Sequence, residues 1–297
     1  VIHKECVMMK SWILLIAVLT IFGCASNNVD DNPEMKKAEI HYAQGTGQLL
    51  NKEYTKALDS LIKSDQFRPE QTKTLNNLGM AYYFKGQKKL AVTYLKKALD
   101  ADEKNSDARN NLASVYYNMG MFKEAKEEYL KVSEDLVYEH QYRVRFNLAL
   151  IALKEGRSSE AQSLLLSSVE DNPSYCAAYF KLGELAKARQ SYTEALDYFI
   201  KGGKDNCYEL PAPIYEQAVV YMMLKNYTKA QEKFTQVSER FPTSTYAALA
   251  STKSRQVEKI NRQELSENTE DSSAHDDIRS KKHKNKGSTN LYESPKF

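Results

Sequence analysis

Cys24 has the surroundings that most favour chemical modification of a side chain. It follows an eleven-residue apolar run, Trp12 to Phe22, with Lys10 two residues before the run and Gly23 directly after it. As a helix the run would rise about 16 Å, roughly half the hydrocarbon core of a bilayer, which is too short for a stable span. A positive segment, a short apolar segment and a small residue instead indicate a secretory signal and its cleavage site. The alternative is a small hydrophobic cysteine buried at a helix end.

Residues Ile21 to Cys24 resemble the bacterial lipobox, although Ile21 and Phe22 depart from its most usual residues. The resemblance implies that the Cys24 thiol receives a diacylglycerol, that cleavage precedes it, and that the new N-terminus is acylated. Such lipidation exceeds what stable anchoring requires. In lipoproteins of Gram-negative bacteria, the residue after the modified cysteine influences which membrane the protein reaches, and an alanine there, here Ala25, favours the outer membrane. We therefore expect a lipid-anchored protein that faces the periplasm. Met8 or Met9 is then the expected initiator.

The remaining candidates for chemistry do not form a recognisable catalytic or metal site. The five histidines, at positions 3, 41, 140, 275 and 283, are scattered, and the GTG at 45–47 lacks the third glycine of a dinucleotide loop. HExxH, CxxC, GxSxG and GxxxxGK motifs do not occur in the sequence. We therefore expect no enzyme activity, no metal, no cofactor and no small-molecule substrate. The net charge of +3 over 297 residues indicates no nucleic-acid partner.

An internal repeat organises the middle of the chain. A small residue is followed twelve positions later by alanine in six places, at Gly45/Ala57, Gly79/Ala91, Ala113/Ala125, Ala149/Ala161, Gly183/Ala195 and Ala218/Ala230. Successive pairs are offset by 34, 34, 36, 34 and 35 residues, and an aromatic residue or leucine follows each alanine by four. This periodicity indicates stacked helical hairpins.

Close approach of two antiparallel helices explains the spacing. Each hairpin needs a small residue on both helices at the crossing, and the large residue one turn later fills the flanking space. Gly86, Gly120 and Gly156 fall where the first helix of a hairpin must end, as helix C-terminal caps do. Pro69, Pro173 and Pro242 follow the second helix and prevent its continuation. One hairpin buries little alone, so the repeats are expected to stack.

These features, and above all the stretch NNLGMAYYFKGQKKLAVTYLKKAL at 76–99, resemble the tetratricopeptide-repeat family. The resemblance implies an all-α fold: a tetratricopeptide-repeat solenoid of about six helix-turn-helix repeats and a C-terminal capping helix over residues 245–264. The domain prediction is a signal peptide over 1–23, the lipidated cysteine and a flexible tether over 24–37, the repeat domain over 38–264, and a disordered charged tail over 265–297.

A lipoprotein signal followed by six repeats resembles the type IV pilus biogenesis lipoprotein family PilF/PilW. The segment KVSEDLVYEHQYRVRFNLALIALKEG at 131–156, where the repeat expands to 36 residues, and SERFPTS at 238–244 carry the more specific resemblance. It implies a pilotin that binds an outer-membrane secretin and promotes its assembly. The alternatives are an adaptor for outer-membrane protein insertion or cell-wall synthesis, and a structural lipoprotein whose basic tail bridges membrane and cell wall.

In three repeats an asparagine occupies the same position, directly before a leucine: Asn77, Asn111 and Asn147. An asparagine amide can both donate hydrogen bonds to a peptide backbone and accept them from it. The alternative is that these asparagines serve only the repeat fold. The predicted partner-binding groove comprises Asn77, Asn111, Asn147, Asn76, Asn110, Arg143, Tyr83 and Tyr117.

Cys176 and Cys207 lie near the same end of adjacent repeats. Equivalent points of neighbouring repeats are about 10 Å apart, beyond the reach of a disulfide unless the loop at Asn206 folds back. The sequence leaves that pairing open.

Overall fold

The computed structural model describes residues 32–204 and 207–263, and in this part of the chain the secondary structure is helical. The predicted signal peptide, the predicted lipidation site Cys24 and the predicted charged tail lie outside the described residues. In chain order the helices are α1 Pro33–Leu50, α2 Tyr54–Phe67, α3 Thr72–Phe84, α4 Lys88–Ala101, α5 Ser106–Asn118, α6 Phe122–Ser133, α7 Gln141–Lys154, α8 Ser158–Asp171, α9 Cys176–Ala188, α10 Tyr192–Lys201, α11 Pro211–Met223, α12 Tyr227–Arg240 and α13, 245–263.

The chain divides into two compact units, the first ending at Lys131 and the second beginning at Val132. We call the first helix of each hairpin its A helix and the second its B helix. In the first unit, α1 packs on α2 and α3 on α4, and the A helices α1, α3 and α5 contact one another in succession. In the second unit, α7 packs on α8, α9 on α10 and α11 on α12. Ala250 and Val257 of α13 join the core cluster of α11 and α12, as expected of a capping helix. The predicted all-α repeat fold is confirmed.

The helix crossings have the geometry that the small residues predict. A methyl group at Gly45 would lie 2.6 Å from Leu61 Cγ, and one at Gly79 would lie 2.6 Å from Leu95 Cγ. In the fifth repeat, a methyl group at Gly183 would lie 2.5 Å from the Phe199 ring. The large side chain four residues after the alanine therefore occupies the space that glycine leaves open.

Burial follows the same periodicity in every repeat. The alanine twelve positions after the small residue is 0% exposed in all six cases: Ala57, Ala91, Ala125, Ala161, Ala195 and Ala230. The large residues four positions later are at most 1% exposed: Leu61, Leu95, Tyr129, Leu165, Phe199 and Phe234. Removing these apolar surfaces from water is the main stabilising contribution to each hairpin.

Three glycines end the A helices in the left-handed conformation. Gly86, Gly120 and Gly156 have φ values of +77°, +79° and +76°, which confirms the predicted capping role. In three other repeats the corresponding position holds a residue with a Cβ: Lys52, Gln190 and Lys225, with φ values of 63°, 64° and 56°. Those repeats keep the same turn at a steric cost.

Replacing Gly120 with alanine is expected to lower the free energy of unfolding by about 1–2 kcal/mol, because a Cβ is disfavoured at positive φ. Gly47 provides the matched control, since it lies within α1 and an added Cβ there would meet no atom within 4 Å. Gly47→Ala should raise the free energy of unfolding by about 0.5–1 kcal/mol through helix propensity. Urea unfolding followed by circular dichroism measures both, and a shift of the same sign in the two variants would contradict the prediction.

The first helix begins before residue 38, the predicted start of the repeat domain. Residues 33–37, assigned to the flexible tether, belong to α1. The Asn32 side chain accepts a hydrogen bond from the Glu34 N–H at 3.0 Å, and Pro33 occupies the first helical position. Lys37 also pairs with Glu34 at 3.0 Å. An asparagine cap with proline behind it starts a helix before any apolar period becomes visible.

Cys176 and Cys207 form a disulfide, with their Cα atoms 5.6 Å apart. The helix that precedes Cys207, α10, has 10 residues, shorter than the other B helices. The chain then turns at Gly202, where an added Cβ would lie 3.3 Å from Tyr179 Cβ, so the backbone packs tightly on α9. This early helix end brings Cys207 back to the start of α9, which resolves the alternative that the sequence left open.

Candidate partner-binding site

The A helices of the first unit are joined by polar side chains. Asn77 on α3 donates from Nδ2 to Thr46 Oγ1 on α1 at 2.9 Å. Lys73 Nζ bonds both carboxylate oxygens of Glu39 at 2.7 Å and lies 4.6 Å from the centre of the Tyr42 ring. These bonds join residues about one repeat apart, so they fix the register of α3 on α1.

The next pair of A helices is joined in the same way. Asn111 on α5 donates from Nδ2 to Asn76 Oδ1 at 2.9 Å, and Asn76 Nδ2 lies 3.4 Å from Asn77 Oδ1. Thr46, Asn77, Asn76 and Asn111 thus form one chain of hydrogen bonds across α1, α3 and α5. We call these four residues the amide strip.

The amide strip combines a structural use with unused bonding capacity. An asparagine amide has two N–H donors and a carbonyl oxygen with two lone pairs. Asn77 and Asn111 each donate one N–H within the strip, and both side chains are half-buried rather than enclosed. The arrangement holds the amides in fixed orientations, which lowers the entropic cost of binding an extended peptide backbone.

The other predicted groove residues of the first unit differ in exposure. Asn110 is 8% exposed, and its Oδ1 is buried without a hydrogen-bond partner. Tyr83 packs edge-on against Phe84 with ring centres 5.3 Å apart, and Tyr117 packs against Phe122 at the same distance. The structure therefore joins Asn76, Asn77 and Asn111 directly, whereas Asn110 faces the interior and the two tyrosines pack on neighbouring rings.

Asn147 and Arg143 belong to the second unit, on α7. Asn147 is half-buried, and Arg143 is exposed, donating from Nε to the Tyr142 hydroxyl at 3.1 Å. The Tyr142 ring in turn packs on Tyr175 with ring centres 4.9 Å apart. Burial raises the pKa of the Tyr175 hydroxyl, so this aromatic group stays neutral over the physiological range.

Thr46, Lys73 and Glu39 orient or flank the asparagines and are not among the residues predicted from the sequence. A weak signal for Thr46 exists, because the position after the small residue is polar again at Ser114, whose hydroxyl lies 2.8 Å from that of Tyr129. Lys73 and Glu39 are separated by 34 residues, which is one repeat. Charge complementarity between equivalent faces of adjacent repeats was the signal that could have found them.

A less exposed ion pair joins the helices of the third hairpin. Arg109 on α5 bonds Glu128 on α6 at 2.8 Å, with side-chain exposures of 13% and 16%, and Lys131 bonds the other carboxylate oxygen. Burial raises the pKa of the Glu128 carboxyl, but hydrogen bonds from Lys131 and Arg109 outweigh it and leave that pKa below its ordinary value. Glu128 therefore stabilises the folded chain in its ionised form.

Glu128→Gln is expected to lower the free energy of unfolding at pH 7 by about 1 kcal/mol, because Arg109 loses its charged partner while remaining largely shielded from water. A lowered folded-state pKa means that the stabilisation is complete above the unfolded-state value, about 4.3, and is lost as pH falls through the folded-state pKa. Urea unfolding at pH 7 and at pH 3 measures the difference, which should shrink at the lower pH. An equal loss at both values would contradict the assignment.

Within residues 32–204 and 207–263, no helix is both long and apolar enough to cross a bilayer. The same part of the chain contains no group of three or more His, Cys, Asp or Glu side chains placed to hold a metal ion.

Comparison with known proteins defines the class. Family models described as tetratricopeptide repeat match residues 85–136, 146–201 and 214–244. With the helical hairpins and their buried small residues, these matches make the chain a tetratricopeptide-repeat protein.

Within this class, the chain is similar to the type IV pilus assembly protein PilF of Pseudomonas aeruginosa, with 24% identity over 212 residues that cover 68% of this chain and 83% of PilF. A solved structure of Pseudomonas aeruginosa PilF superposes with a TM-score of 0.63 and 20% identity, covering 75% of this chain and all of that chain. PilW, described as a widely conserved type IV pilus biogenesis factor, superposes at 0.61 with 18% identity and coverages of 70% and 96%.

The fold alone does not separate these proteins from other repeat proteins. The Cut9–Hcn1 hetero-tetramer of APC/C gives a TM-score of 0.64 with 16% identity, covering 78% of this chain but 44% of that chain. Similarity along nearly the full length distinguishes PilF and PilW from this longer protein.

Proposed function

We propose that the chain is an envelope protein of type IV pilus biogenesis that acts as a protein-binding scaffold, specifically as a pilotin for an outer-membrane secretin. The observation that carries the proposal is the match to PilF over 212 residues and 83% of that protein. The similarity extends through the repeats and beyond any single hairpin, so it concerns the whole repeat domain. The signal-like segment before Cys24 supports attachment to the outer membrane through lipid.

The amide strip is the proposed contact for the partner. The helices α3 and α5 present amides at successive repeats, and the Thr46 hydroxyl of α1 accepts a hydrogen bond from the first of them. Such amides suit main-chain groups of an extended segment, and the spacing between A helices provides one contact per repeat. The fixed hydrogen bonds of the strip favour binding because less side-chain freedom is lost.

Affinity capture of the tagged chain from detergent-solubilised outer membranes, with mass identification of co-purifying proteins, tests the function. A secretin multimer should be recovered with the lipidated chain, and deletion of the gene should abolish pili while leaving envelope growth intact. Cys24→Ser should move the chain to the soluble fraction and reduce recovery of the multimer. Recovery of outer-membrane insertion or cell-wall proteins instead would refute the pilus assignment.

Substitution of the strip tests the binding face. Asn77→Ala with Asn111→Ala removes the amides, and we expect at least a tenfold loss of captured secretin, as befits two lost hydrogen bonds. Thr46→Val is the matched control, because it removes the partner of Asn77 while leaving the amide in place. Equal losses in the control and the double variant would show that the strip only supports the fold.

A further inference from the structure

A cavity of about 410 Å³ opens in the second unit, between α10, residues 203, 204 and 208, α11 and α12. Three cationic side chains line it: Lys204, Lys233 and Arg240. None of the described residues that line it is acidic, and none of the three cations forms an ion pair with another described residue. The cavity is separate from the amide strip, which belongs to the first unit.

Arg240 is held in one orientation at the wall of this cavity. Its guanidinium carbon lies 3.5 Å from the centre of the Tyr208 ring, and Nη2 donates to the Tyr208 carbonyl oxygen at 2.9 Å. The other terminal nitrogen, Nη1, is buried without a hydrogen-bond partner. A buried charged N–H without an acceptor is costly, so an anionic group that reached this atom would be bound favourably.

Uncharged polar, aromatic and apolar residues line the rest of the cavity around Arg240. Gln217 is 6% exposed and donates from Nε2 to the Phe199 carbonyl oxygen at 3.0 Å. Gln236 accepts from Lys233 Nζ at 3.1 Å through Oε1. Tyr221 and Ile214 supply aromatic and apolar surface. Cationic, amide and apolar groups together are typical of small ligand sites, in which a few polar groups fix the orientation of the ligand.

We propose that this cavity binds a carboxylate of a peptide segment from a protein partner, with Arg240 as the principal contact and Lys204 and Lys233 as supporting charges. An arginine N–H without an acceptor matches a carboxylate oxygen, because hydrogen bonds between a guanidinium and a carboxylate are among the strongest in proteins. The apolar and aromatic wall accommodates the side chain beside the carboxylate. The carboxylate belongs either to an acidic side chain or to the C-terminus of the peptide.

The disulfide positions one wall of the cavity. Cys207 directly precedes Tyr208, and its N–H donates to the Lys204 carbonyl oxygen at 2.8 Å. Its bond to Cys176 attaches the segment that carries Lys204 and Tyr208 to the start of α9. Tyr208 itself is 51% exposed, so the rest of its environment restrains it little. Removing the disulfide should therefore weaken binding by releasing the ring on which Arg240 stacks.

Fluorescence anisotropy on the full chain in detergent tests the proposal with three dye-labelled hexapeptides. The first has the sequence Gly-Leu-Asp-Leu-Asp-Leu and ends in a carboxamide, the second replaces aspartate by asparagine and ends in a free carboxylate, and the third has asparagine and a carboxamide. At least one of the first two should bind ten times more tightly than the third. Which of them binds identifies the source of the carboxylate.

Arg240→Gln should weaken the preferred peptide by about tenfold to a hundredfold, the usual effect of losing hydrogen bonds to a charged group. Lys204→Gln, a change at an exposed side chain that leaves the fold intact, should weaken it about threefold. Lys181→Gln, which removes one charge from α9 outside the cavity, should leave binding within about twofold. Replacing both cysteines by serine should weaken binding as well.

Three results would overturn the proposal. One is equal binding of the uncharged peptide, and another is unchanged binding in both the Arg240→Gln and Lys204→Gln chains. The third is displacement of the peptide by inorganic phosphate at the same concentration, which would define a site for small anions. None of these outcomes depends on whether the partner is a secretin, so the pilus assignment is tested separately.

Discussion

Phe199→Ala is expected to lower the free energy of unfolding by about 3–5 kcal/mol, the range for truncating a fully buried phenylalanine. The Phe199 side chain is 0% exposed, and its ring covers Gly183 and lies 5.6 Å from the ring of Phe180. It belongs to a core cluster with Ala195 and Val220, so it joins α10 to both α9 and α11. Urea unfolding followed by circular dichroism measures the loss.

Leu136 offers a matched control, because it is also a large apolar residue but is 91% exposed. Leu136→Ala should change the free energy of unfolding by less than about 0.5 kcal/mol. A loss below about 1 kcal/mol for Phe199→Ala would contradict the packing described for the fifth repeat, since truncations of fully buried phenylalanine cost more.

A second substitution tests the pairing of small and large residues directly. Gly183→Ala should cost about 1–3 kcal/mol by overpacking against the Phe199 ring. Combining it with Phe199→Leu reproduces the alanine–leucine pair of the fourth repeat, Ala149 and Leu165, both of which are 0% exposed. We expect the double variant to be more stable than the sum of the single losses predicts.

Removing the Cys176–Cys207 disulfide is expected to lower the free energy of unfolding by about 3–4 kcal/mol, from the loop-closure relation for the 31-residue separation. The bond joins the start of α9 to the segment after α10, so its loss releases loop entropy in the unfolded chain. Urea unfolding with and without dithiothreitol measures the effect, which should appear as a lower midpoint under reducing conditions.

The variant with both cysteines replaced by serine is the control for the reductant. Its unfolding midpoint should equal that of the reduced chain and should not respond to dithiothreitol. A reductant effect that persists in this variant would have another source, and an unchanged midpoint in the wild-type chain would show that the bond contributes little.

The periodic features of the fold could be predicted from the sequence because they depend on residues that are close in the chain. The small residue, the alanine twelve positions later and the large residue four further on lie within one hairpin, so their spacing determines which side chains meet. The glycines at 86, 120 and 156 were identifiable for the same local reason. By contrast, the start of α1 at Pro33 was missed, because its cap is formed by polar residues that give no apolar period.

The residues of the candidate binding site could be predicted from the sequence only in part. Sequence periodicity selected Asn76, Asn77 and Asn111, and the structure joins these three through hydrogen bonds. It also selected Asn110, which is buried, because a helix position alone does not reveal which neighbour covers it. The lipidated Cys24 and the limits of the tail remain predictions, since they lie outside the described residues.

The sequence by itself determined an all-α protein of six hairpin repeats and the identity of the residues at each helix crossing, since both follow from a period of about 34 residues. Only the tertiary structure decided the Cys176–Cys207 bond, the hydrogen bonds of the amide strip and the cavity at Arg240. Each of these depends on how a loop or a neighbouring repeat is placed in space. Two of these features, the disulfide and the cavity, lie where the short helix α10 ends earlier than the other B helices.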